Sequence, residues 1–270
     1  MFIPLLYMIP AILLFTAGFL SSSLIITVLC IWSGAALAIV AGGYWLNRHE
    51  IFRKNADGRI PSSIRVLLWP FMLGVSFYNH WRRQRDNGPA YHQLAEHLYV
   101  GSRLFESDID ELRQQGIVAI LDVTAEFNGL DWRQQDDSLH YLNIPVLDHR
   151  FPALEQLHQA LNWLHNHIRQ QRSVIVHCAL GRGRSVFTCA AYLAACQNDK
   201  SLNQILADIN AIRAIAKLNP SQKKQLQGLD QARQLHFADS AALIINPVAG
   251  GEKWQQHKHL IMQQLSQSYQ

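Results

Sequence analysis

The first 47 of the 270 residues contain no Asp, Glu, Lys or Arg. All 44 charged residues fall in 48–270, about 20 % of that stretch and close to an ordinary soluble chain. The chain is two different materials joined end to end. That excludes a wholly soluble protein and a wholly membrane-embedded one. Cysteine is scarce. Of four, Cys30 lies in the apolar start, which leaves Cys178, Cys189 and Cys196, an odd number at spacings that make a poor disulfide framework. No C-x-x-C occurs, which argues against a zinc ribbon or a thioredoxin-type site. The thiols therefore read as free, in a reducing compartment. The net charge of +4 comes without a basic run long enough to make a nucleic-acid patch, so no nucleic-acid partner is expected. Internal repeats and low-complexity tracts are also missing.

Residues 2–46 are apolar or small throughout. As a single helix they would be roughly 68 Å long, about twice the ~30 Å hydrocarbon core. Region 1–47 thus reads as two transmembrane helices, near Phe2–Leu20 and Leu24–Leu46, with Ser21, Ser22 and Ser23 as the turn. A cleaved signal peptide fits poorly, since there is no basic leader and the apolar stretch is too long. Residues 48–89 read as a basic linker, with Arg48, Arg53, Lys54, Arg59 and Arg65 against Glu50 and Asp57, which puts it on the cytoplasmic side of an inner or plasma membrane. Within it, 66–81 is apolar and aromatic, carries Pro70 and lies between Arg65 and Arg82, Arg83 and Arg85. A helix or re-entrant piece in the membrane interface is favoured there over a third span. Two spans keep everything after residue 82 in the cytoplasm; three would export it.

From 90 to 237 strand and helix patterns alternate. Short β-rich runs occur at His97–Gly101, Ile117–Thr124, Leu139–Ile144 and Ser173–His177. Ser107–Gln115 looks like a capped helix stopped by Gly116. Leu154, Leu157, Leu161, Leu164 and Ile168 recur at helical spacing. Further helices are expected after Gly183, behind Ser201 and from Pro220. This is an α/β domain, a sheet flanked by helices.

One segment carries chemistry: Ser173 through His177, then Cys178, Ala179, Leu180, Gly181, Arg182, Gly183, Arg184 and Ser185. A buried strand ends in a loop of small residues, and an uncharged helical run follows, which makes a ready anion cradle. Gly181 and Gly183 let backbone N–H groups turn inward. Arg184 lies six residues beyond Cys178, so its planar fork can face the thiol across a bound phosphate. Those amides and the helix dipole favour Cys178 as a thiolate. A cysteine outside such a loop would more often be a small buried hydrophobe.

Here the chain resembles the cysteine-based protein phosphatases, specifically the dual-specificity group, whose His-Cys-x5-Arg-Ser/Thr signature is met by His177, Cys178, Arg184 and Ser185. The likeness extends over Leu98–Ser102, Gly116–Thr124 and Leu218–Ser221. Val186 departs from it, where many members have Gly. The resemblance implies a cysteine-phosphatase fold, a central mixed sheet flanked by helices, behind the N-terminal transmembrane hairpin. It implies that Cys178 attacks phosphorus and that water hydrolyses the cysteinyl-phosphate. Arg184 and the N–H groups of Ala179, Leu180, Gly181, Arg182 and Gly183 would hold the phosphate oxygens. Ser185 would steady the departing thiolate, and His177 would orient the loop. No metal and no cofactor is required.

The family places its acid on a separate loop upstream of the cysteine. Asp148 fits best, 30 residues before Cys178, after a predicted strand and before a helix. Asp136 and Asp137 are the runners-up. Arg182 is read either as solvated or as positive charge at the rim, equally. His149 and Arg150 read as surface or loop-stabilising residues, and Cys189 and Cys196 as helix packing.

In 238–270, Ala241–Gly251 is again strand then glycine turn, with Asn246, Pro247, Gly250 and Gly251. It resembles the opening strand and phosphate loop of diacylglycerol-kinase-type lipid kinases; a plain strand–turn–helix tail fits equally. One strand and one helix cannot form the kinase's two lobes, so no lipid phosphorylation is expected, although association with a lipid kinase domain is. The leading expectation is a membrane-anchored phosphomonoester hydrolase acting on phosphoprotein or phospholipid phosphate. The rival is a catalytically silent phosphate-binding module that anchors or regulates a lipid kinase.

Overall fold

A computed structural model describes residues 3–86, 88–129, 139–197 and 199–237. The kinase-like segment 238–270, Asp136 and Asp137 lie outside the described residues. Two helices open the chain, α1 (Ile3–Leu20) and α2 (Leu24–Trp45), each long and apolar enough to cross a membrane. They pack closely because small residues let them: Gly18 sits against Cys30 and Gly34 against the Phe15 ring. Their outer faces carry exposed Leu6, Leu13, Phe19 and Ile25.

Segment 66–81 becomes two helices, α3 (Ser62–Leu67) and α4 (Trp69–Arg85). Pro70 sits in the first turn of α4, where its missing N–H costs nothing. A mixed five-stranded sheet follows, built from β1 (Tyr91–Ala95), β2 (Leu98–Gly101), β3 (Ile117–Asp122), β4 (His140–Asn143) and β5 (Ser173–His177). Its order is β1-β2-β5-β3-β4, antiparallel only between β1 and β2. β1 is an addition to the expected strands. Its Tyr-His-Gln-Leu-Ala lacks β-branched residues, and pairing with β2 through a tight turn makes it a strand. That turn takes His97 at φ +59°, so β2 begins at Leu98 rather than His97. The expected helix 107–115 is a short 3₁₀ turn followed by α5 (Ile109–Gln114), ended by Gly116 at φ +66°.

Helices α6 (Leu154–Arg169), α7 (Arg184–Cys196), α8 (Leu202–Ile212) and α9 (Pro220–Gln231) complete the domain. Their apolar faces meet one side of the sheet: Leu157, Leu161, Phe187, Ile205 and Leu226 pack with Val100, Leu121 and Val176. Leu104, Ile109 and Leu112 cover the other side over Ile120 and Ile175. Ser201 and Asn219 cap α8 and α9 through boxes closed by Gln204 and Gln222.

A third cluster joins the hairpin to the sheet. Ala36, Val40 and Tyr44 of α2 pack with Phe52, Ile60, Leu68 and Phe71, and with Ala125 and Leu147 from the loops after β3 and β4. Residues 48–86 therefore pack into the body of the protein. Lys54 is buried and donates to Asp122 Oδ2 (2.7 Å), Thr124 O (2.9 Å) and Thr124 Oγ1 (3.1 Å). Tyr141 donates to the same Asp122 oxygen at 2.8 Å.

Burial alone would push the Asp122 carboxyl up, but the charge of Lys54 and the bonds from Lys54 and Thr124 outweigh it and hold it well below the usual carboxylate range. A carboxylate depressed on folding contributes stability that is fully present above its unfolded value near ~4 and is lost as pH falls through its folded value. Lys54→Met leaves that carboxylate buried without its cation, which should cost about 3–5 kcal/mol. Thermal unfolding of the full-length protein in detergent should show a lowered midpoint at neutral pH. The gap to the unsubstituted protein should narrow on acidification below about pH 4, where the carboxylate contribution fades.

Candidate active site

The site lies where β5 ends and α7 begins, at the carboxyl edge of the parallel strands. His177 is the last residue of β5, and Cys178 through Gly183 form the loop. The loop's carbonyls are tied outward. Ala179 O accepts from Arg103 N (3.0 Å) and from Asn79 Nδ2 (2.8 Å). Gly181 O accepts from Arg213 Nε (2.8 Å) and Leu180 O from Arg213 Nη2 (3.4 Å). Arg182 O accepts from Lys217 N at 2.8 Å. Carbonyls fixed outward aim the intervening N–H groups inward, as a phosphate cradle needs. Gly181 permits this turn at φ +64°; a Cβ there would come within 2.7 Å of the Gly101 carbonyl and 2.5 Å of the Arg213 guanidinium.

Cys178 is nearly buried, yet it lines the floor of a cleft of about 780 Å³, with Asp148, Arg182, Lys217 and Tyr78 on the walls. Space for a tetrahedral anion therefore exists beside the sulfur. Ser185 Oγ lies 3.3 Å from Cys178 Sγ. Arg184 is buried at the start of α7. Its Nη1 donates to Glu126 Oε2 (2.8 Å) and Val146 O (2.8 Å), and its Nη2 to Glu126 Oε1 (2.7 Å). Burial would pull the guanidinium down, but Glu126 and Asp148 raise it well above its ordinary range, so it stays charged. Its Nε is buried without a partner among the described residues, and Asp148 Oδ1 stands 3.2 Å from Nη2. The edge of the fork not held by Glu126 is thus the one that a phosphate oxygen can engage.

The structure brings together Cys178, Arg184, Asp148 and Ser185, with His177 behind them. His177 Nε2 is 3.9 Å from Asp122 Oδ1, and burial lowers its pKa below the ordinary histidine value. It is thereby disfavoured as a cation. The Arg182 side chain turns away from the cradle and makes two 2.6 Å bonds to Asp86, so only its backbone N–H belongs to the loop. Arg150 donates to Tyr44 O in α2 at 2.9 Å, and His149, exposed at φ +61°, shapes the turn after Asp148. Cys189 is fully buried in α7, and burial pushes its thiol far up.

Four residues of the assembly carry no motif signal: Glu126, Arg213, Asn79 and Lys54. Glu126 was in principle findable, since a buried arginine requires a nearby carboxylate.

An ionisable sulfur under inward amides, opposite a held guanidinium and beside a carboxyl, is the apparatus of a cysteine-dependent phosphatase. Comparison with known proteins agrees. The sequence profile of the dual specificity phosphatase catalytic domain matches residues 98–232, and the chain belongs to the dual-specificity phosphatase family. It is 27 % identical over 169 residues to Phosphatidylglycerophosphate phosphatase PTPMT2 of Arabidopsis thaliana, covering 60 % of this chain and 71 % of that one. It is 29 % identical over 172 residues to human Protein phosphatase Slingshot homolog 3, covering 61 % of this chain but only 24 % of that protein. Among solved structures it is similar to DUSP15, with 25 % identity, a TM-score of 0.49, and coverage of 54 % of this chain and 91 % of that one.

Gly181→Ala should force the loop apart, because both the left-handed backbone and the Gly101 contact oppose a side chain. A stability loss of about 1–3 kcal/mol is expected. It should be accompanied by weaker protection by vanadate, a tetrahedral phosphate mimic, in thermal-shift measurements.

Proposed function

We propose that this chain is a membrane-anchored phosphatase that hydrolyses phosphomonoesters through a cysteinyl-phosphate intermediate. The observation that carries this reading is Cys178 lining an open cleft together with Asp148, whose Oδ1 stands 3.2 Å from the Nη2 of an Arg184 whose Nε is buried without a hydrogen-bond partner among the described residues. In the first step Cys178 Sγ forms a bond to phosphorus as the bond to the leaving oxygen breaks, and Asp148 gives that oxygen a proton. In the second, Asp148 takes a proton from water, the water oxygen bonds to phosphorus, and the S–P bond breaks. Ser185 Oγ, 3.3 Å from the sulfur, donates to the departing thiolate. Arg184 and the loop amides hold the equatorial oxygens throughout. A phosphate entering the cradle would replace Asp148 on Arg184 Nη2 and release the carboxyl toward the leaving group.

Two apolar helices support the anchor, and the basic residues that follow α2 support a cytoplasmic catalytic domain. The substrate is a phosphoprotein or a phospholipid phosphate. The plant relative, by its name a phosphatidylglycerophosphate phosphatase, supports the lipid. A silent phosphate-binding module is the weaker reading, because Ser185 Oγ lies 3.3 Å from the sulfur and Asp148 lines the same cleft as Cys178.

Full-length protein should release phosphate from p-nitrophenyl phosphate, and Cys178→Ser should abolish release; equal rates would end the enzyme reading. Asp148→Ala should slow turnover of alkyl phosphates by roughly 10²–10⁴-fold. It should slow p-nitrophenyl phosphate far less, since that leaving group needs little protonation. Equal slowing of both would move the acid elsewhere.

A further inference from the structure

The catalytic edge of the sheet faces the hairpin, and three contacts fix it there. Ala125 and Leu147, beside Glu126 and Asp148, pack in the cluster formed by α2 and α4. Arg150, two residues past Asp148, holds the Tyr44 carbonyl near the end of α2. Asn79 of α4 holds the Ala179 carbonyl of the catalytic loop.

Helix α4 has two unlike faces. Phe71 and Asn79 are buried, whereas Trp69, Leu73 and Phe77 form an exposed stripe at i, i+4 spacing, with Phe77 73 % exposed. The helix also changes along its length. It begins apolar, passes through Tyr78 and Trp81, and ends in Arg82, Arg83 and Arg85. This order of apolar, aromatic, then basic is that of a helix leaving a bilayer.

Helix α2 shows the same order, ending at exposed Trp45 and then Arg48. The middle of α2 is pinned to the start of α4. The Trp32 and Trp69 rings stack at 6.0 Å, and Trp32 Nε1 donates to Leu67 O at 3.1 Å.

We infer that the exposed stripe of α4 docks into the apolar layer of the bilayer beside the hairpin, so that the active-site mouth opens at the lipid headgroups and takes phosphomonoester headgroups laterally from the membrane. The occupant of this face is a lipid surface. Its apolar stripe begins at Trp69, whose ring stacks on Trp32 of the hairpin, and Arg82 and Arg85 follow at the basic end of α4, suited to anionic headgroups. Tyr78, next to the stripe, lines the cleft that holds Cys178, so docking and catalysis share one wall. The inference rests on the membrane-anchored phosphatase reading above and narrows its substrate class.

The test uses the full-length protein reconstituted in phosphatidylcholine vesicles. Phosphate release is measured from phosphatidylglycerophosphate in the same vesicles, from water-soluble p-nitrophenyl phosphate and from a soluble phosphotyrosine peptide. Phe77→Glu puts a charge on the stripe without touching the cleft. Its expected effect is a loss of at least tenfold in kcat/KM for the vesicle lipid, with p-nitrophenyl phosphate within twofold of the unsubstituted protein. Phe77→Leu should restore the lipid rate. An unchanged lipid rate in Phe77→Glu would overturn the inference. So would a loss shared equally by both substrates, or a phosphopeptide turned over as well as the vesicle lipid. In all three cases the phosphatase reading would survive, because that reading fails only if Cys178→Ser stays active.

Discussion

The outward tethering of the catalytic loop's carbonyls is the constraint on which the site depends. A six-residue turn cannot point its amides inward unless something else satisfies its carbonyls, since a buried carbonyl left alone costs as much as a lost hydrogen bond. Here the partners come from far along the chain: Asn79 from α4, Arg103 from the segment after β2, and Arg213 and Lys217 from the segment after α8. Each is a long-range contact, so the cradle exists only when the whole chain has folded. The side chains with the chemistry are local in sequence. Those that give them direction are not.

The buried charges follow the same plan. The Arg184 and Lys54 side chains are both almost wholly removed from water; Asp122 balances Lys54, and Glu126, with Asp148 beside it, balances Arg184. Asp122 ends β3 and Glu126 follows it. An isolated buried cation would be expensive, whereas a bidentate pair with further carbonyl acceptors offsets much of the desolvation. Lys54 comes from the segment after the hairpin and Arg184 from the catalytic motif. β3 thus binds the segment after the apolar hairpin and the catalytic motif to one strand.

The fold was legible where the pattern was strong. The amphipathic spacing of Leu157, Leu161 and Leu164, the apolar run into His177, and the signals at Ser201 and Pro220 each announced their elements. β1 was not legible, because Tyr91–Ala95 owes its state to pairing with β2 and not to composition. At the site, Cys178, Arg184, Ser185 and Asp148 could be read from spacing and flanking residues. Asn79 and Arg213 could not, and Glu126 only as some carboxylate that a buried arginine requires. Their work depends on tertiary proximity: Glu126 lies 58 positions from its partner and Asn79 lies 100 from its own. Residues 48–89 read as a linker because their charges resemble solvated ones, and only the fold reveals that Lys54 is inside.

The shared core changes what the hairpin can be said to do. A flexible tether would leave the catalytic domain free to turn its cleft toward any phosphate in solution. Tyr44 bonded to Arg150, Leu147 packed on α2 and Asn79 bonded to the catalytic loop remove that freedom. Orientation is then a property of the fold rather than of linker length. Such fixed orientation lowers the entropy cost of meeting a substrate confined to the same surface. It also restricts access for a bulky soluble phosphoprotein, because Tyr78 of α4 forms part of the cleft wall. Selectivity between the two substrate classes would therefore arise outside the cradle. A phosphate cradle alone sees only a phosphomonoester; the surface beside it determines what the phosphate is attached to.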